Sequence, residues 1–280
     1  MGTSGIVLNI NRLIIAYLLI ASMILLCAPA QQKHYRTLYC MNALALICFA
    51  YPLLYPIHTR WMGILYDWLP LILLPLFHYE TDYLTTAYGR KTYDAAFIRF
   101  ERKHFTWLMR FHRRNMANKT SISELLHACY FSFYGLLYAV PGYFYWQQAM
   151  PCFYQSVFAI LLLLFLCFLT HSLIPVSGPR TIFTKINDKR SQGLFFRLVH
   201  KVLEGGSTHA TAFPSGHTGI ATVTLLMSWC CHTYLFWILL PIALGLILST
   251  LYGRFHYLSD LLCGFGYGVI TVFITRSIYQ

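Results

Sequence analysis

"FYQSVFAILLLLFLCFLTHSLIPV", Phe153 to Val176, decides the fold class of this chain. It is apolar almost from end to end, and a helix needs about 20 such residues to cross the hydrocarbon core of a bilayer. With no polar face, such a helix suits an apolar solvent or a protein interior and not a water-exposed surface. Stretches of similar character recur at Gly5 to Ala28, Leu38 to Ile57, Trp61 to Phe77, Ile122 to Trp146, Ser215 to His232, Tyr234 to Leu251 and His256 to Ile274. The composition agrees, because 58% of the 280 residues are hydrophobic and only 11% are charged, which excludes an ordinary soluble domain. The expected fold is an all-α, polytopic transmembrane bundle of about eight spans. Pro52, Pro56, Pro70 and Pro75 interrupt the second and third spans, which bundled membrane helices tolerate.

Nine cysteines lie mostly inside these stretches, with no CxxC and no Cys/His cluster at zinc spacing. They read as small apolar residues, with no disulfide framework implied. The twelve histidines include no HExxH or HxH pair, so no metal site is expected. Arg12, the apolar run Leu13 to Cys27 and Ala28-Pro29-Ala30 resemble a cleavable signal peptide, but beside so many other spans an uncleaved first helix is expected.

The eight-span layout sorts the loops onto two sides. One side takes every Lys and Arg except Arg12, Arg60 and Arg276. This fits either a surface built for anionic groups or ordinary positive-inside bias marking the cytoplasm. The signal-like start, with Arg12 inside, instead places Gln31 and the basic side outside. Basic residues that bind substrate are poor topology markers, so the basic side is expected to be extracytoplasmic. Within it, Phe97, Phe100, His104, Trp107, Leu108 and Phe111 recur at helical spacing, with Arg99, Arg102, Lys103, Arg110, Arg113 and Arg114 between them. That pattern predicts an amphipathic helix lying in the headgroup layer.

Three polar patches stand on the basic side: "IPVSGPR" (Ile174 to Arg180), "AFPSGHTG" (Ala212 to Gly219) and "LYGRFHYLSDLL" (Leu251 to Leu262). His217 and His256 are separated by two crossings of about 20 residues each, which returns both to one membrane depth. His256 and Asp260 are four apart, so on a helix beginning near Phe255 the carboxylate would reach the imidazole and fix its tautomer. Pro214 and Ser215 make a helix start whose free N–H groups near Gly216 and His217 can face an anion. Arg180 and Arg254 supply forked donors that match phosphate oxygens. Together these are the parts of a metal-free phosphoryl-transfer site. Asp67, Glu124 and His171 show no partner in the sequence and read as packing or helix-end groups.

"PSGH" followed by an "HYxxD" helix start resembles the superfamily that groups type 2 phosphatidic acid phosphatases with vanadium haloperoxidases, over roughly Ile122 to the C-terminus. The common phosphatases carry a lysine seven residues before the first-motif arginine, where this chain has Leu173. They also carry an arginine six residues before the third-motif histidine, where it has Thr250. These departures, with "SELLHACYFSFYGLLYAVP" (Ser123 to Pro141), are similar to the branch that includes inositol phosphorylceramide synthases. The resemblance implies His256 as nucleophile, Asp260 as its orienter and His217 as the acid, with Ser215, Gly216 and Arg180 binding phosphate oxygens and Arg254 standing in at Thr250. It implies no cofactor, a lipid phosphate substrate among membrane lipids, and no nucleic acid.

The organisation expected is N-terminal transmembrane helices over 1–78, a basic amphipathic segment over 79–121 and a catalytic transmembrane core over 122–280. The activity expected is hydrolysis of a lipid phosphate ester, such as phosphatidic acid or a polyprenyl phosphate, through a phosphohistidine. One alternative passes a phospho-headgroup to a lipid hydroxyl; another keeps the anion site without turnover, as a binding or transport protein. Haloperoxidases are soluble, and the spans argue against one.

Overall fold

The computed structural model describes residues 3–28, 34–55, 59–89, 91–108, 120–183, 193–206 and 210–279. The described residues form helices only: α1 Thr3–Leu26, α2 Tyr35–Leu54, α3 Arg60–Ile72, α4 Leu74–Thr86, α5 Asp94–His104, α6 Thr120–Trp146, α7 Met150–Leu173, α8 Pro179–Ile182, α9 Leu194–Gly206, α10 Gly216–Cys231, α11 Thr233–Tyr252 and α12 Leu258–Tyr279.

Among the described residues, Ser4–Leu26, Tyr35–Leu54, Arg60–Thr86, Met150–Leu173, Thr233–Tyr252 and Leu258–Tyr279 are long and apolar enough to cross a membrane, and the protein is a multi-pass integral membrane protein. The other two expected spans are also helices. α10 has only 16 residues, and α6 mixes Ser123, Glu124 and His127 into its first turns. α3 and α4 make one span with a joint at Leu73, where Pro75 withholds the N–H that would continue the ladder. α4 runs on to Thr86, so part of the segment expected to be basic and amphipathic from Tyr79 belongs to this span.

α7 is the hub. Its apolar residues leave no polar face, and it packs against α1, α4, α6, α10 and α12. α12 approaches α10 through Gly264 and Gly268, the close contact that small residues four apart allow between membrane helices. A Cβ at Gly264 would run into the Ser215 carbonyl, and one at Gly268 would lie 3.0 Å from the Gly219 carbonyl.

The cysteine reading needs one correction. Cys152, at the start of α7, and Cys231, at the end of α10, form a disulfide with Cα atoms 6.1 Å apart. They are distant in sequence and meet only because α7 and α10 are antiparallel neighbours, which residue spacing cannot reveal.

Candidate active site

The three polar patches meet at the end of the bundle away from the disulfide. Val176 and Thr211 form an isolated parallel bridge, in which Val176 N–H donates to the Ala210 carbonyl at 3.1 Å and Ala212 N–H to the Val176 carbonyl at 2.8 Å. Ser215 N–H donates to the Asp260 carbonyl at 3.0 Å, joining the second patch to the third. Gly178 closes the remaining side with φ +86°, and a Cβ there would lie 2.8 Å from the Phe255 carbonyl. Only glycine meets both conditions without strain. Val176, Ala212 and Tyr257 form a small apolar cluster of their own, packed by Phe97, Ile98 and Phe213.

His256 is buried, and its Nδ1 lies 2.9 Å from the Ala212 carbonyl and 3.5 Å from Asp260 Oδ2. A carbonyl can only accept, so Nδ1 carries a proton, and in the neutral form of the ring Nε2 is the nitrogen with the free lone pair. That Nε2 lies 3.3 Å from His217 Nδ1, so the two histidines expected at one depth are in contact. The His–Asp pair forms differently from the expectation. α12 begins at Leu258, two residues after His256, so the residues do not share a helix face. Instead Asp260 folds back over the helix start, its Oδ2 accepting from Tyr257 N–H at 2.8 Å and facing the imidazole. The nearer partner of Nδ1, Ala212, carries no signal in the sequence, because any residue has a carbonyl.

His217 lies in the first turn of α10 and is held by α6, with Tyr130 stacked at 4.8 Å between centroids and Phe133 at 4.4 Å. Ser215 is the N-cap of α10: its hydroxyl accepts from Thr218 N–H at 3.3 Å, and its own N–H is taken by Asp260. The first-turn amides of Gly216 and His217 therefore present this helix's positive end to the site. Arg180 is half-buried in α8, two residues after Gly178, whose backbone packs against the Phe255 carbonyl beside His256.

Arg254 is buried at 5% exposure with φ +59°. Burial lowers its proton affinity below the usual guanidinium value. A left-handed backbone at a non-glycine residue costs about 1–3 kcal/mol and persists only where the surroundings enforce it. Here the Thr250 carbonyl accepts from Phe255 N–H at 2.9 Å, tying the loop back to α11. Thr250 itself is fully buried and its hydroxyl turns to the Ile247 carbonyl at 2.7 Å, so the position of the family arginine serves the backbone in this chain.

Two carboxylates bind this site from α5. Asp94 accepts from Ser177 N–H at 3.1 Å and Gly178 N–H at 3.0 Å, and Glu101 accepts from Ser259 N–H at 2.8 Å. The sequence carries a signal for them: Asp94, Phe97, Ile98 and Glu101 lie on one helical face. The aromatic stripe divides accordingly. Phe97 and Leu108 turn inward, while Phe100, His104 and Trp107 stay exposed. Arg110, Phe111, Arg113 and Arg114 lie outside the described residues.

The three residues without visible partners all have them. Glu124 caps α9 through Phe195 N–H at 2.9 Å and Phe196 N–H at 3.0 Å. Asp67 accepts from Tyr154 at 2.7 Å and Tyr145 at 3.3 Å. His171 Nε2 reaches the Pro214 carbonyl at 3.1 Å, directly behind the second patch.

No curated protein and no solved structure matches the chain. A sequence model of the PAP2 superfamily matches residues 95–274, a span that opens in α5 and contains all three patches. With well over half of its length matched, this chain belongs to the PAP2 superfamily.

Proposed function

We propose that the protein is a lipid phosphate phosphatase working through a phosphohistidine at His256. The observation that carries the reading is the orientation of His256. The Ala212 carbonyl holds its Nδ1–H, Asp260 lies behind, and Nε2 faces His217. A nucleophilic nitrogen needs a free lone pair and a partner that stabilises the imidazolium; an Nδ1–H held by the Ala212 carbonyl leaves the lone pair on Nε2, and Asp260 supports the second role.

The step follows from this placement. Nε2 of His256 attacks phosphorus, the P–O bond to the lipid breaks, and His217, entering the step as imidazolium, passes its Nδ1 proton to the leaving oxygen and is left neutral with its proton on Nε2. Water then attacks the phosphorus, returns a proton to His217 and breaks the N–P bond, releasing phosphate. In this reading the amides of Gly216 and His217, with Arg180 and Arg254, supply the donors for the phosphoryl oxygens. A reacting pair sits about 3–3.5 Å apart before bond formation. At 3.3 Å the two histidines leave no room for a phosphoryl group between them, so substrate entry must open their direct hydrogen bond.

The exposed apolar belts and the superfamily's phosphate-ester chemistry favour a lipid substrate. The test uses purified protein with labelled phosphatidic acid, a polyprenyl diphosphate or phosphatidylinositol, each with and without ceramide or diacylglycerol. Free phosphate supports the reading. A new phospholipid appearing only with an acceptor supports the transferase related to the inositol phosphorylceramide synthase branch. Binding without either product would leave an anion-binding protein.

A further inference from the structure

α5 lies across the site with two faces of opposite character. Inward it turns Asp94, Phe97, Ile98 and Glu101. Phe97 and Ile98 pack on the small apolar cluster, and Phe97 sits 4.8 Å from Phe213 and 6.1 Å from Tyr257 between ring centroids. Asp94 holds two consecutive amides just before Arg180, and the adjoining Tyr93 N–H donates to the Pro175 carbonyl at 2.8 Å. Glu101, with no exposure, holds the amide of Ser259, which lies between His256 and Asp260 in the chain. One helix of 11 residues thus joins the loop that carries the phosphate-binding arginine to the loop that carries the nucleophile.

Outward, α5 presents Arg99, Arg102 and Lys103, all exposed, interleaved with Phe100 at 49% and the nearby Trp107 at 63% exposure. Cations with aromatic side chains on one helix face, at the loop end of a membrane bundle, are complementary to an anionic headgroup layer.

We propose that α5 is a lipid-seated strap: Asp94 and Glu101 are positioning residues for the two loops, and contact of the outer face with anionic headgroups tightens the site. The proposal rests on the phosphatase reading and concerns its regulation. Because Asp94 anchors the arginine loop, Asp94→Asn acts on substrate binding and raises KM. Because Glu101 anchors the start of α12, Glu101→Gln acts on the His256–Asp260 pair and lowers kcat. A change that only reduced the folded fraction would lower the apparent kcat of both and leave KM alone.

The experiment places purified protein in phosphatidylcholine vesicles and in vesicles where phosphatidylglycerol replaces part of the phosphatidylcholine, using the best substrate from the panel above at fixed concentration. Turnover rises about fivefold or more with the anionic lipid, since each surface cation contributes on the order of a factor of five. The triple variant R99Q/R102Q/K103Q keeps the rate seen in phosphatidylcholine and loses the rise. Hydrogen exchange at Ser177, Gly178 and Ser259 slows on adding phosphatidylglycerol in the wild type and not in the triple variant. Equal turnover in both vesicles, unchanged KM and kcat in D94N and E101Q, or exchange indifferent to the lipid would each overturn the strap. Should the wild type turn over no substrate at all, the phosphatase reading fails, while the exchange measurement still reads the strap.

Discussion

The two ends of the bundle are fastened by different chemistry. At the site end, Asp94, Glu101, Glu124 and Asp260 each accept from backbone amides, fixing the starts of α9 and α12 and the loop before α8. At the far end the links run between side chains. Tyr143 meets His232 at 3.1 Å, Arg276 donates to Gln155 at 3.1 Å, two tyrosines hold Asp67, and Cys152 is bonded to Cys231. The chain has only nine acidic residues against a net charge of +12, and four of them go to amides around the site. Loops that must present amides and arginines to an anion leave backbone donors outside any helix ladder, and each needs an acceptor. Carboxylates supply strong ones while offsetting the surrounding positive charge. The far end has regular helices that need only be held together.

This contrast can be broken first at the site end. His256→Ala should abolish phosphate release; full activity would end the mechanism. His217→Ala should lower kcat/KM about 10²–10⁴-fold, the usual contribution of a general acid. That loss should shrink for p-nitrophenyl phosphate, whose leaving group needs little protonation. An equal loss on both substrates would assign His217 to binding. Gly178→Ala should cost about tenfold or more in kcat/KM with the helical content retained, because the new Cβ meets the Phe255 carbonyl at a φ that L-residues avoid.

The far end should respond differently. Cys152→Ser should leave kcat and KM near wild type and lower thermal stability, by about 2–4 kcal/mol on the usual scale for a disulfide. A loss of activity without loss of stability would mean that the two ends are coupled. Sidedness sharpens the same contrast. Disulfides persist in oxidising compartments, so the redox state of the Cys152–Cys231 pair in cells tests the extracytoplasmic placement expected from the signal-like start. Because the pair and α5 lie at opposite ends, Arg99→Cys should be labelled by an impermeant maleimide in intact cells only where the Cys152–Cys231 pair is found reduced. Labelling together with an oxidised pair would break the opposite-end geometry.

What the sequence revealed and what it hid divide along physical lines. The spans were legible because the bilayer imposes length and apolarity on each helix separately, and the meeting of His217 with His256 was legible because residues two crossings apart return to one depth. The partner of His256 Nδ1 was hidden, because the Ala212 carbonyl has no side-chain identity. The roles of Asp94, Glu101 and Glu124 were hidden because each binds amides more than 70 positions away. In α5 the inward acids Asp94 and Glu101 stand among the exposed Arg99, Arg102 and Lys103, whose charge masks them in the sequence. The disulfide depended on which helices are neighbours, which hydropathy does not encode.

The central claim is that the phosphoryl group passes through His256, and trapping it there tests the claim most directly. Wild-type protein mixed with lipid phosphate labelled at phosphorus, quenched in alkali and digested should carry an acid-labile, alkali-stable label on the peptide containing His256. His256→Ala should carry none. Turnover in the wild type with no such label, or with the label on His217, would contradict the account.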